Sequence, residues 1–141
     1  PGDLEQKISP YLRPLYDSIE MLVPPEVLKR MEESRMIEVA PLAYMRGRTL
    51  NDAVIVLDEA QNTTVEQMKM FLTRMGENSR IIVTGDPTQT DLSSRIMSGL
   101  LHACRVLSDI DEIAMIHLDN RDVVRNSIVR KIIQSYEQKK E

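Results

Sequence analysis

Apolar and polar positions divide the chain into alternating helix-like and strand-like stretches. Tyr11, Leu12, Leu15, Tyr16, Ile19 and Leu22 recur at helical spacing. Pro14 falls in the first turn of that helix, where its missing N–H is harmless. Pro24-Pro25 closes it, and Pro25 opens a short second helix carrying Val27, Leu28 and Met31. Ile37 to Ala40 predicts a strand stopped by Pro41, and Tyr44 to Asn51 an irregular stretch holding Arg46, Gly47 and Arg48. Ala53 to Leu57 is an unbroken apolar run, the signature of a buried strand. Thr63 with Glu66 three residues on predicts a capping box. It heads a helix whose Val65, Met68, Phe71, Leu72 and Met75 share a face, with Gly76 as a left-handed stop. Arg80 to Thr84 is a second strand. Asp91 to Ser94 predicts the start of a helix carrying Ile96, Leu100, Ala103 and Leu107, and Glu112 to Leu118 a third strand. A last helix carries Ile128, Val129, Ile132, Ile133 and Tyr136 and frays into Gln138 to Glu141.

The strands are apolar throughout rather than at every second position, and they alternate with helices. That pattern predicts β–α units and a parallel sheet covered on both faces. The expected class is α/β, in a single domain of 141 residues without internal repeats. Residues 1–36 read as a helical insertion or edge region and residues 37–141 as the β/α core.

Composition narrows the function. A net charge of −4 lacks the basic excess of an autonomous nucleic-acid binder. Aromatic residues make up 4% of the chain, with no Trp, too few for a base-stacking platform. The single Cys104 excludes an internal disulfide and gives no zinc site of its own, which fits a reducing, cytoplasmic setting. No apolar run is long enough to span a membrane, so no membrane partner is expected.

The chemistry gathers where the two strong strands end. Val54-Ile55-Val56-Leu57 runs into Asp58-Glu59-Ala60-Gln61-Asn62, and Ile81-Ile82-Val83 into Thr84-Gly85-Asp86-Pro87-Thr88-Gln89. In an open parallel sheet, ligands bind in the crevice beyond the carboxyl ends of the strands. An apolar strand followed by Asp-Glu is the Walker B arrangement of nucleotide hydrolases. Asp58 would hold Mg²⁺, through water, and Glu59 would orient or deprotonate the attacking water. Gln89 carries an amide that can donate to a terminal phosphate and accept from water. The plainer reading makes Asp58 and Glu59 acids at a helix start, and Gly85-Asp86-Pro87 a simple turn.

These motifs, with Pro41-Leu42-Ala43-Tyr44-Met45-Arg46-Gly47-Arg48-Thr49-Leu50, Ser98-Gly99-Leu100 and Arg121-Asp122-Val123-Val124-Arg125, resemble the PhoH-like ATPase family over nearly the whole chain. The resemblance implies a P-loop NTPase fold, RecA-like and similar to superfamily-one helicase motors, incomplete at its N-terminal side. It implies Mg²⁺-dependent ATP hydrolysis, a link to phosphate starvation, and RNA as a candidate partner. Family roles carry onto Asp58, Glu59, Gln61 and Gln89 as catalytic groups, and onto Thr84, Gly85 and Asp86 beside the nucleotide. Arg46 and Arg48 are candidates for nucleic-acid phosphates. Arg121 and Arg125 are candidates for an arginine supplied across a subunit boundary, as in a homo-oligomer.

One family part is missing: no Gly-Lys pair exists, so the Gly-x-x-x-x-Gly-Lys-Ser/Thr loop that cradles phosphates is absent. The chain is therefore expected to be the C-terminal part of a longer ATPase domain. Two other readings remain at this point. One is a metal-dependent phosphoesterase using Asp58, Glu59 and Asp86 around divalent ions. The other is a non-catalytic α/β module unable to hold ATP tightly without the missing loop.

Overall fold

The computed structural model describes residues 16–119, 122, 124 and 127–137. The centre of the fold is a β–α–β unit. Strand β1 (Val54–Leu57) and strand β2 (Arg80–Val83) pair in parallel, with Val54 opposite Arg80 and Leu57 opposite Val83. Helices precede, connect and follow these two strands. Helix α1 (Pro25–Glu33) precedes it, α2 (Val65–Leu72) connects its strands, and α3 (Gly99–Val106) and α4 (Ser127–Glu137) follow. Short 3-10 turns lie at Leu42–Met45 and Ala60–Asn62.

Identifiable hydrogen bonds bound the helices from α1 to α3. Residues 16–20 are helical, as the spacing predicts, and the earlier part of that helix lies outside the described residues. Helix α1 starts with Pro25 in its first turn. It ends with Arg35 at φ 56°, where Met36 N–H donates to Met31 O and Arg35 N–H to Glu32 O. Those bonds satisfy the last carbonyls of the helix and draw the following chain back onto α1. Ile37 to Ala40 accordingly has no strand structure, against expectation.

The box that caps α2 sits one residue later than the sequence pattern places it. Thr64 accepts from Gln67 N–H (3.2 Å), and Gln67 Oε1 accepts from Thr64 N–H (2.8 Å). Thr63 is unavailable because its buried hydroxyl donates to Ala60 O at 2.7 Å, closing the 3-10 turn. The helix also stops earlier, at Leu72. Gly76 is not left-handed; its N–H donates to Leu50 O in a short parallel bridge ahead of the strands.

Helix α3 begins at Gly99 rather than near Asp91. Ser98 is held extended by an antiparallel bridge to Thr64, and Gly99 N–H donates to Thr63 O at 2.7 Å. Ile96 is thereby left in the preceding turn. A Cβ on Gly99 would strike the Thr64 carbonyl and stand 2.7 Å from Thr63 Oγ1, so glycine permits this close crossing. Helix α3 packs on α2 and on the Ala60–Asn62 turn, and α2 packs on the Leu42–Met45 turn. Met45, Met68 and Phe71 are buried there, with Ala60 fully enclosed.

Two expectations about the sheet fail. Glu112 to Leu118 forms no strand, since none of the described residues takes its backbone into a ladder. The sheet is also covered on one face only among the described residues. Ile55 is buried, whereas Val54 and Val56 on the opposite face are 71% and 54% exposed, with Ile82 beside them exposed as well. Among the described residues no helix is long and apolar enough to cross a membrane.

Candidate functional site

The site lies where β1 and β2 end side by side. Thr84 N–H donates to Leu57 O at 2.9 Å, carrying the ladder one step past the strands. There the two chains turn. Asp58 accepts at Oδ1 from the Thr84 hydroxyl (2.7 Å) and from Glu59 N–H (2.9 Å). Its Oδ2 has no protein partner among the described residues. Glu59 adopts φ 54°, ψ 35°, a left-handed conformation unusual for a residue with a side chain. That reversal starts the Ala60–Asn62 turn, and it lets both adjacent carboxylates stand exposed at the strand tip.

Gln61 is 1% exposed and lies between the two loops. Its Nε2 donates to Glu59 Oε2 (2.7 Å) and to the Gln89 carbonyl (3.2 Å), and its Oε1 accepts from Asp86 N–H (3.1 Å). Gly85 lies against this amide, since a Cβ there would stand 2.6 Å from Gln61 Oε1. Further bonds fasten the loops along their length. Ala60 N–H donates to Thr84 O (3.0 Å), Thr90 Oγ1 to Gln61 O (3.4 Å), and Asp91 N–H to Asn62 Oδ1 (2.8 Å). Thr90 and Asn62 had no role in the sequence reading. Polar residues in a loop give no sign of which cross-loop bond they make.

Asp86 folds back on its own loop. Oδ1 accepts from the Thr88 N–H (2.8 Å) and hydroxyl (2.7 Å), and Oδ2 from Gln89 Nε2 (2.6 Å). The Thr88 hydroxyl first, then the Thr88 N–H and the Gln89 amide, hold its carboxyl below the usual Asp range. Both oxygens being engaged, Asp86 does not offer itself as a metal ligand in this state. Among the described residues no cluster of three His, Cys, Asp or Glu can hold a metal ion. Asp58, with one free oxygen at an exposed tip, suits Mg²⁺ held through water and phosphate oxygens.

Of the described arginine candidates, neither Arg46 nor Arg48 is bonded to this tip. Arg48 forms a two-pronged ion pair with Glu38, at 2.6 and 2.9 Å, which lowers the Glu38 pKa. Arg46, beside Gly47 at φ 77°, is exposed. Arg121 and Arg125 lie outside the described residues.

A family model described as PhoH-like protein matches residues 1–137. Among curated proteins, a PhoH-like protein of Mycobacterium tuberculosis is 57% identical over 136 residues, covering 96% of this chain and 39% of that protein. A PhoH-like protein of Bacillus subtilis is 56% identical over 137 residues, covering 97% and 43%. Protein PhoH of Escherichia coli K12 is 41% identical over 138 residues, covering 96% and 39%. The chain thus spans about two fifths of the length of the curated relatives it matches.

Proposed function

The chain belongs to the PhoH-like protein family, and from that we propose that it supplies the magnesium, water and phosphate-sensing half of an ATP-hydrolysing site in a P-loop NTPase domain. The observation that carries this reading is the joined strand-end pair: exposed Asp58 and Glu59 at the tip of β1, bonded across to the Thr84–Gln89 loop of β2. In this role Asp58 binds Mg²⁺ through water. The ion, when bound, draws off charge developing on the phosphate oxygens. Glu59 orients the attacking water and takes its proton. Gln89 releases Asp86 to donate its amide to the terminal phosphate, and Gly85 with Thr84 keeps the loop close to the Asp58 side. Gln61, buried beneath them, bonds Glu59 to the Gln89 loop.

The phosphate cradle does not come from residues 1–141, which contain no Gly-Lys pair. By itself the chain is accordingly a folded α/β unit without tight affinity for ATP. The phosphoesterase reading is weakened because Asp86 turns both oxygens onto its own loop. Mg²⁺-dependent ATP turnover by the full-length protein tests the proposal. Asp58→Asn should abolish the activation by Mg²⁺, and an unchanged Mg²⁺ response would remove Asp58 from its role.

RNA is the proposed polymer partner and a homo-oligomer the proposed assembly, with Arg121 and Arg125 as candidates for an arginine offered to a neighbour's site. A cytoplasmic location and the phosphate-starvation link belong to this same proposal. Exposed Arg46 is the better placed of the two loop arginines for RNA, because Arg48 is already paired. RNA affinity that falls with rising salt, and falls further in Arg46→Ala, is expected. Absence of binding at low salt would exclude RNA.

A further inference from the structure

Among the described residues, Gln61 is the one buried polar side chain that touches both halves of the strand-end pair, and its bonding is nearly complete. An amide has two N–H donors and an oxygen that accepts. Here one N–H goes to the Glu59 carboxylate, the other to the Gln89 carbonyl, and the oxygen takes Asp86 N–H. The orientation of the amide is fixed by its neighbours. A carboxylate and a carbonyl only accept, and a backbone N–H only donates, so a flipped amide would lose every one of these bonds. With 1% exposure, Gln61 is screened from an attacking water and from a nucleotide in the tip.

We propose that Gln61 is a positioning residue: a buried latch whose single Nε2 ties the water-orienting Glu59 to the Gln89 loop, so that a shift of the sensing loop resets the carboxylate. This rests on the ATPase reading above. The bond to Glu59 is charge-assisted and therefore strong, and it restrains a side chain whose backbone is left-handed. The bond to Gln89 O leaves from the same nitrogen. When the Gln89 side chain leaves Asp86, the 86–89 segment moves, and the pull reaches Glu59 through that one NH₂ group. Gly85 has no room for a side chain against the amide, so the latch is seated at close quarters.

The test is steady-state ATP hydrolysis by the full-length protein as wild type, Gln61→Met, Glu59→Gln and the double variant. Met matches Gln in length and lacks the amide. The latch predicts a kcat lower by about 10- to 100-fold in Gln61→Met, as for a misplaced catalytic group, with KM for ATP unchanged. It further predicts that the double variant is no slower than Glu59→Gln alone, because the residue acts through Glu59. A general loss of structure would instead multiply onto the Glu59→Gln loss and move KM. A Gln61→Met kcat equal to wild type, or fully multiplicative losses, overturns the latch while leaving the ATPase reading intact. Wild-type protein without Mg²⁺-dependent hydrolysis overturns both. Should thermal unfolding show Gln61→Met unfolded, Gln61→Asn, which keeps the amide but is one methylene too short to span both loops, is read by the same criteria.

Discussion

Glu59 is the residue on which backbone and chemistry meet. A side-chain-bearing residue at φ 54° costs about 1–3 kcal/mol and persists only when its surroundings hold it. The surroundings here are Asp58 on its N–H and Gln61 on its carboxylate. Asp86, on the facing loop, carries a titration that can be checked. Its folded pKa is depressed, so the stabilisation from its Thr88 and Gln89 bonds is present above the unfolded value of about 3.9 and is lost as pH falls through the lower folded value. Carbon-13 titration of the Asp86 carboxyl should therefore give a midpoint below that of an unfolded Asp. A midpoint at or above the ordinary value would mean that the loop bonds do not form. Ser98 Oγ is buried with no hydrogen-bond partner among the described residues.

At the scale of elements, β1, α2 and β2 were legible in the sequence, and so was the placing of Asp58 and Glu59 at a strand tip. Unbroken apolar runs next to carboxylates leave few alternatives. Less legible was everything decided by which of two adjacent side chains takes a local bond, or by a partner distant in sequence. The cap of α2 moved from Thr63 to Thr64 because Thr63 closes the preceding turn. Helix α3 started late because Ser98 and Gly99 are bonded to Thr63 and Thr64. Glu112 to Leu118 has a strand-like pattern, but a strand exists only where another chain segment takes its hydrogen bonds. The family resemblance marks Gln61 as a catalytic group, and nothing in its neighbours in the sequence indicates that it is buried. The two sheet faces, both largely apolar in sequence, should also differ in energetics. In the 141-residue chain, Ile55→Ala should cost about 2–5 kcal/mol, the usual loss for a buried aliphatic. Val56→Ala on the open face should cost much less, and equal shifts in denaturant midpoint would contradict the one-sided burial.

For the whole molecule, the described residues leave one face of the sheet open, and residues 1–141 contain no Gly-Lys pair. Val54, Val56 and Ile82 form an apolar surface that a stable domain normally covers. The family relatives are more than twice as long as the stretch they share with this chain. The proposed site is accordingly a half-site whose acids are already assembled by their own hydrogen bonds. The measurement that bears most directly on it is ATP turnover by the full-length protein carrying Glu59→Gln. Turnover should fall by about 100-fold or more, as expected for loss of a general base, while ATP still binds. Turnover equal to that of the wild type would contradict the assignment of Glu59, and with it the reading of the β1 tip as the water-activating end of an ATP site.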